Sequence, residues 1–180
     1  MLALKEYLPQ YTYEDYKEWE GQWELIWGIA YSMSPSPNIT HQELNANIIH
    51  ELKNKIAHCK HCKVVPEIDW KIDEETVVRP DTSVICNIGS SKQFLSQKPN
   101  IIFEILSPST KRKDRDLKYH LYQDNRVDYY IIVEPAGMFA EVYRLYKDKY
   151  RLEGELTTQS YTFHLEDCEI EFSFKDIFDL

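Results

Sequence analysis

The 180-residue chain is short of glycine, with five in all, and none belongs to a phosphate cradle or a nucleophile elbow. It has no HExxH either, so nucleotide kinases, α/β-hydrolases and zincins are excluded together. No apolar run approaches the length of a membrane span. Met1-Leu2-Ala3-Leu4-Lys5-Glu6 lacks a signal core and a cleavage site, so the expected location is the cytoplasm. Without a repeat, low-complexity tract or linker, the expectation is one domain over 1–180. Positive charge is also lacking, because 21 Lys and Arg against 30 Asp and Glu leave a net charge of −9. That argues against indiscriminate nucleic-acid binding, which rests on Lys and Arg neutralising phosphates. It does not exclude a nuclease, since bound metal offsets negative charge and the local potential of a cleft outweighs the total.

Cysteine is sparse. With four cysteines and no export signal, reduced thiols are the default. His58-Cys59-Lys60-His61-Cys62 groups two cysteines with two histidines, but a zinc site needs a second ligand pair. Cys86 and Cys168 are isolated and no second CxxC exists. The segment reads as a polar helix end leading into a strand, and metal binding there stays open.

What is present reads as alternating helices and strands. Thr12-Tyr13-Glu14-Asp15 resembles a capping box opening a short helix, and Trp23 to Met33 a hairpin turning at Trp27-Gly28. Asn38 or Thr40 starts the longest helix, whose stripe is Leu44, Ile48, Leu52 and Ile56. Val64, Ile68, Trp70 and Ile72 suggest one half-buried strand, and Val77 to Cys86 the next. Ile101 to Leu106 is short and apolar enough for a central strand. Asp114 is the expected N-cap of a helix carrying Leu117 and Leu121, and Asp128 to Glu134 is a further buried strand. A hairpin is expected around Asp148, then short strands at Tyr161 to His164 and Glu169 to Phe172, with Ser173 capping a terminal helix.

Two of these strands each carry a carboxylate where burial is costly unless the charge is paired or binds metal: Asp81 and Glu104. Asp114, Lys118 and Tyr122 follow at intervals of four, on adjacent faces of one helix. Two carboxylates and a lysine converging at strand ends form the constellation a metal-dependent phosphodiesterase needs. Each has a plainer reading. Asp81 could pair with Arg79, Lys118 could be a surface lysine, Asp114 a cap and Tyr122 core. Glu24 is a candidate third acid or a solvated edge-strand acid, and His41 an outer-shell candidate or a capping histidine. Lys111, Arg112, Lys113 and Arg115 read as a solvated loop and helix start that can also meet phosphate.

Pro80-Asp81, the run from Phe103 to Thr110, Asp114, Lys118, Tyr122 and the run from Asp128 to Pro135 together resemble the Uma2 family. Trp23 to Gly28, Met33-Ser34-Pro35 and His41 resemble its N-terminal pattern. That is a group of restriction-endonuclease-like proteins in the PD-(D/E)XK nuclease superfamily. The resemblance implies an α/β (α+β) restriction-endonuclease-like fold, a central mixed β-sheet flanked by helices. It also implies an endonuclease that cleaves DNA with Mg²⁺ or Mn²⁺, the metal held by Asp81 and Glu104. The superfamily's lysine usually stands two residues after the second acid, where this chain has Leu106; Lys118 matches the family's lysine on the following helix. DNA is then the expected partner, a membrane is not, and a homodimer is left open. The alternative is a non-catalytic nucleic-acid-binding or scaffold module on the same fold; a two-carboxylate glycosidase is disfavoured by the adjacent lysine.

Overall fold

A computed structural model describes residues 8–89 and 93–178; the N-terminal hexapeptide read above lies outside them. Helix α1 (Tyr13–Tyr16) opens on the expected box, with the Thr12 N–H and hydroxyl both donating to Asp15 Oδ2 at 2.8 and 2.9 Å. Strands β1 (Trp23–Ile26) and β2 (Ile29–Ser32) form a hairpin whose two turn residues, Trp27 and Gly28, both have positive φ, as a two-residue turn of this kind requires. Helix α2 (Ile39–Lys55) is capped by Asn38, whose Oδ1 accepts from the His41 N–H at 2.9 Å, and it buries Leu44, Ile48 and Leu52.

The next two expected strands are each divided. Strand β3 (Cys62–Pro66) and β4 (Trp70–Asp73) replace the single strand read through Val64 and Ile72. Strand β5 (Thr76–Val78) and β6 (Thr82–Cys86) replace Val77 to Cys86. The first break is at Glu67, with φ of 43°, and the second at Arg79-Pro80, where proline has no N–H for a ladder. The breaks lie side by side, since the Glu67 N–H donates to the Asp81 carbonyl at 3.2 Å. They carry the chain between two sheets, because β4 and β5 join the four-stranded order β2-β1-β5-β4 while β3 and β6 lie in the large sheet.

Strand β7 (Ile101–Ile105) is buried at all five residues and pairs antiparallel to β6 and parallel to β8 (Tyr129–Glu134). With β9 (Phe139–Tyr146) and β10 (Lys149–Leu156) the large sheet runs β10-β9-β8-β7-β6-β3 and is mixed, as expected. Strands β11 (Ser160–His164) and β12 (Glu169–Ser173) form a separate hairpin before a short terminal helix (Phe174–Phe178).

The large sheet divides two cores. Alternate residues Ile101, Phe103 and Ile105 pack with Leu44, Ile48 and Leu52 of α2, and with the C-terminal hairpin and the terminal helix. The opposite set, Ile102 and Leu106, packs with Trp70, Tyr122, Tyr130 and Ile132. By the same alternation Glu104 belongs to this second face.

Two expectations fail locally. Asp114 is not an N-cap: Ser107 Oγ accepts from the Thr110 N–H at 3.2 Å, with Pro108 next in sequence, and the Lys111 N–H already donates to the Ser107 carbonyl. Lys111 to Lys113 therefore lie in a helical start rather than a loop. A π-helical stretch, Lys113–Lys118, follows and continues into α3 (Tyr119–Asp124). The cysteines are not reduced thiols either, being joined as Cys59–Cys168 and Cys62–Cys86. Cys62 and Cys86 face each other in the β3–β6 register, and the C-terminal hairpin brings Cys168 to the end of α2, a proximity invisible at a separation of 109 residues. Among the described residues no helix is long and apolar enough to cross a membrane.

Candidate active site

The side of β7 that carries Glu104 faces the π-helical stretch, and that stretch decides what the glutamate meets. Its Asp114 and Lys118 are both 2 % exposed and Glu104 is 3 % exposed, so none has ordinary solvation. Lys118 Nζ lies 2.8 Å from Glu104 Oε1, 2.8 Å from Glu24 Oε1 and 3.7 Å from Asp114 Oδ1. A π-helical turn is wider than an α turn and is frequent at functional sites. The Tyr122 hydroxyl, on α3, donates to the same Glu104 oxygen at 2.7 Å. The Tyr130 hydroxyl donates to the Asp114 carbonyl at 3.0 Å and ties the stretch to β8.

Glu24 is fully buried on β1. Its Oε1 also accepts from the Arg79 backbone N–H at 3.0 Å, and its Oε2 from Lys113 Nζ at 2.5 Å. It is not an edge acid in solvent, and it shares Lys118 with Glu104. Lys113 likewise turns inward, whereas Lys111 Nζ meets Glu134 at 2.8 Å and Arg115 meets Glu141 at 2.6 Å. Of the expected phosphate-binding set, Arg112 alone is exposed with no ion pair among the described residues.

Asp81 stands where the chain enters β6. Its Oδ2 accepts from the Ile105 N–H at 2.7 Å and lies 3.3 Å from His41 Nε2. Arg79 does not pair with it, bonding Asp69 through Nε at 2.7 Å instead. The backbone amide of Ile105, next to Glu104, is thus what positions Asp81, a role that carries no side-chain signal in the sequence. Asn45 supports the same corner, donating to the Asp81 carbonyl at 3.4 Å and accepting from the Thr82 hydroxyl at 2.6 Å. Asp81, Glu104, His41, Asp114, Lys113 and Lys118 all line one cleft of about 820 Å³. The segment before α2, from Met33 to Thr40, forms one wall, and Leu106 to Lys111 with Glu134 to Ala136 the other.

The electrostatics of this cluster are uneven. Burial pushes the Glu104 carboxyl up; Lys118 opposes this, while Asp114, Asp81 and Glu24 add to it, and the result is about 8. Burial raises Glu24 too, but Lys118 and Lys113 more than offset it and hold that carboxyl at about 2. Burial also raises Asp114. Burial alone would pull Lys118 down, yet Glu104, Glu24 and Asp114 keep its ammonium well above the ordinary lysine range. For His41 the lowering by burial is outweighed by Asp81, so the ring is raised. Four carboxylates thus face two ammonium groups and one histidine.

With Glu104 ionised, the cluster carries a surplus of negative charge that suits a small divalent cation. His41 Nδ1 and Asp114 Oδ1 are buried with no hydrogen-bond partner among the described residues. Among the same residues no three His, Cys, Asp or Glu side chains are gathered to enclose an ion. Mg²⁺ asks for less, because it binds through one or two carboxylates and keeps several waters. Asp81 and Glu104 fit it: each has one oxygen engaged in the contacts above, and both face the cleft.

The family model described as "Uma2: Putative restriction endonuclease" matches residues 12–172 of the chain. A protein of Synechocystis sp., described as uncharacterised, is 27% identical over 150 residues, spanning 75% of this chain and 74% of its own. The fold is similar to a crystal structure from Anabaena variabilis, described as a putative nuclease belonging to DUF820. The TM-score is 0.76 at 16% identity, over 93% of this chain and 97% of that one.

Proposed function

The chain belongs to the Uma2 family, and from that premise we propose that it is a metal-dependent endonuclease cleaving DNA phosphodiester bonds. One observation carries the reading: Lys118 bonds Glu104 at the floor of a cleft that Asp81 also lines. Asp81 and Glu104 would hold Mg²⁺ or Mn²⁺, which when bound polarises the phosphoryl group and acidifies a bound water. Lys118, kept protonated by three carboxylates, serves as a fixed cation rather than a general base. Its ammonium can orient the attacking water or stabilise the charge of the pentacovalent phosphorus. Tyr122 and Glu24 act through it, one fixing the Glu104 oxygen and the other the lysine's position. The amino-terminal end of α2, with Asn38 and Thr40 on the cleft wall, adds positive potential where a phosphate would enter.

A second reading, a nucleic-acid-binding or scaffold module without turnover, has its own observation. Lys111, Lys113 and Arg115 are all neutralised by carboxylates of the chain, so little free positive charge remains at the cleft. Plasmid nicking with Mg²⁺ or Mn²⁺, beside binding titrations in Ca²⁺, separates the two. Cleavage that vanishes in Glu104→Gln supports the nuclease; binding without cleavage under any divalent metal supports the module.

A further inference from the structure

The Cys59-Lys60-His61-Cys62 segment lacks a second ligand pair in the sequence, and the fold supplies one. Cys59 follows α2 and Cys62 opens β3, the Cys62 N–H donating to the Cys59 carbonyl at 3.1 Å to close the turn. Cys86 ends β6, and Cys168 lies just ahead of β12. All four line one cleft of about 180 Å³, which shares no residue with the nuclease cleft. His58, on its rim, already bridges to the C-terminal hairpin through the Glu169 carbonyl at 2.9 Å.

In the disulfide-bonded form these sulfurs are not ligands, in keeping with the lack of any three-residue metal set among the described residues. The thiolate is the metal ligand, so reduction changes what the cluster can do. We propose that, in the reduced chain, Cys59, Cys62, Cys86 and Cys168 form a tetrathiolate site for Zn²⁺. Two molecules of a dithiol reductant supply four electrons and four protons, and each leaves as its own disulfide. The four cysteine thiols then lose their protons to solvent as four Zn–S bonds form. Tetrahedral Zn–S bonds of about 2.3 Å place sulfurs about 3.8 Å apart, so each broken pair must separate by less than about 2 Å. The Cα atoms are 5.7 Å apart in the Cys59–Cys168 pair and 3.9 Å apart in the Cys62–Cys86 pair, so the latter needs the larger adjustment. Lys60 on the rim opposes the double negative charge of such a site, while Glu166 and Asp167 add to it. The ion would join the end of α2, the edge of the large sheet and the C-terminal hairpin, the same three parts that the disulfides join.

The test uses the full chain, reduced anaerobically with a phosphine that is then removed, and titrated with Co²⁺ and afterwards Zn²⁺. The expected result is a thiolate-to-cobalt charge-transfer band that saturates at one Co²⁺ per chain, with the intense visible bands of a tetrahedral ion. One equivalent of Zn²⁺ should erase both and raise the melting temperature of the reduced protein. The oxidised protein should show neither band, and Glu104→Gln should keep the full charge-transfer band, which separates this ion from one in the cleft that Glu104 lines. Cys168→Ser should weaken Co²⁺ binding and alter the charge-transfer intensity. Reduced wild-type protein without a charge-transfer band would overturn the proposal, and this does not depend on any variant folding. An unaltered spectrum in Cys168→Ser would overturn the four-thiolate assignment.

Discussion

Lys118 reaches Glu104 across fourteen residues of chain, at 2.8 Å, with both groups almost wholly buried. A lysine on a helix therefore meets the acid that a strand lysine at position 106 would otherwise stand beside. Leu106 is free to pack in the core with Trp70 and Tyr122. The pairing also means that a change in the protonation of Glu104 changes the charge that Lys118 faces.

Metal should stabilise the protein, and Glu104 should be the reason. At a hundredfold excess over its dissociation constant, Mg²⁺ or Mn²⁺ adds about 2.7 kcal/mol by mass action. Thermal melts should show that gain in the wild type and lose it in Glu104→Gln, whose amide oxygen still accepts from Lys118 and Tyr122. An equal gain in the variant would place the ion elsewhere.

Binding should also release a proton. With Glu104 at about 8, most of the metal-free protein carries that proton at neutral pH, and a carboxylate ligand must lose it. Calorimetric titrations at pH 7 in two buffers of different ionisation enthalpy should report on the order of one proton released per ion. Glu104→Gln should release none.

The pH dependence of metal-free stability follows with a definite sign. Glu104 titrates near 4.5 unfolded and at about 8 folded, so between these values the native state holds the extra proton. Stability therefore falls as pH rises through that window, by up to about 1.4 kcal/mol per pH unit for one proton. Burial raises Asp114 in the same direction. Glu24, lowered to about 2, acts oppositely, its contribution being lost as pH falls from 4.5 towards 2. Denaturant titrations across pH 4 to 9 should show the decline, and Glu104→Gln should flatten its upper part.

Lys118→Ala should lower the single-turnover cleavage rate by about 10²–10³-fold if its cation acts on the transition state. It should also lose about 3–5 kcal/mol of stability, because buried Glu104 loses its ammonium partner and Glu24 keeps only Lys113. Affinity for DNA in Ca²⁺ should change little in the variant that remains folded at the assay temperature. A parallel loss of affinity would show that the lysine is only a phosphate contact.

Lys111→Ala with Arg112→Ala should do the reverse. Binding should weaken, with the slope of log affinity against log salt falling by about one or two, while the bound-state cleavage rate stays near wild type. Lys113 is left out of that pair because its ammonium neutralises Glu24. Lys113→Ala should instead lower the melting temperature even without DNA.

What the sequence made legible was whatever depends on local pattern. The burial of β7, the α2 stripe, the Thr12 box and the hairpin turn at Trp27-Gly28 all follow from spacing or turn chemistry within a few residues. Glu104 was legible for a related reason, being a charge in a run with no solvated face. The divided strands were not, because alternation continues through Glu67 and Arg79-Pro80 while the backbone changes sheets. Nor was the inward turn of Lys113, since a basic triplet looks the same in sequence whether it meets water or the buried Glu24. The four cysteines show the same limit, their meeting being set wholly by tertiary structure.

The contact between Glu24 and Lys113 spans 89 residues, and it gives the molecule a timetable. A ribosome delivers the acid early and the two lysines that neutralise it much later. Until then the inner face of the first hairpin carries a charge that resists being covered, so that hairpin has to wait in water. Long-range closure of this kind is slow compared with local helix formation. The cleft therefore cannot assemble before Lys113 and Lys118 have been made, and a shorter chain lacks the paired centre that lines it.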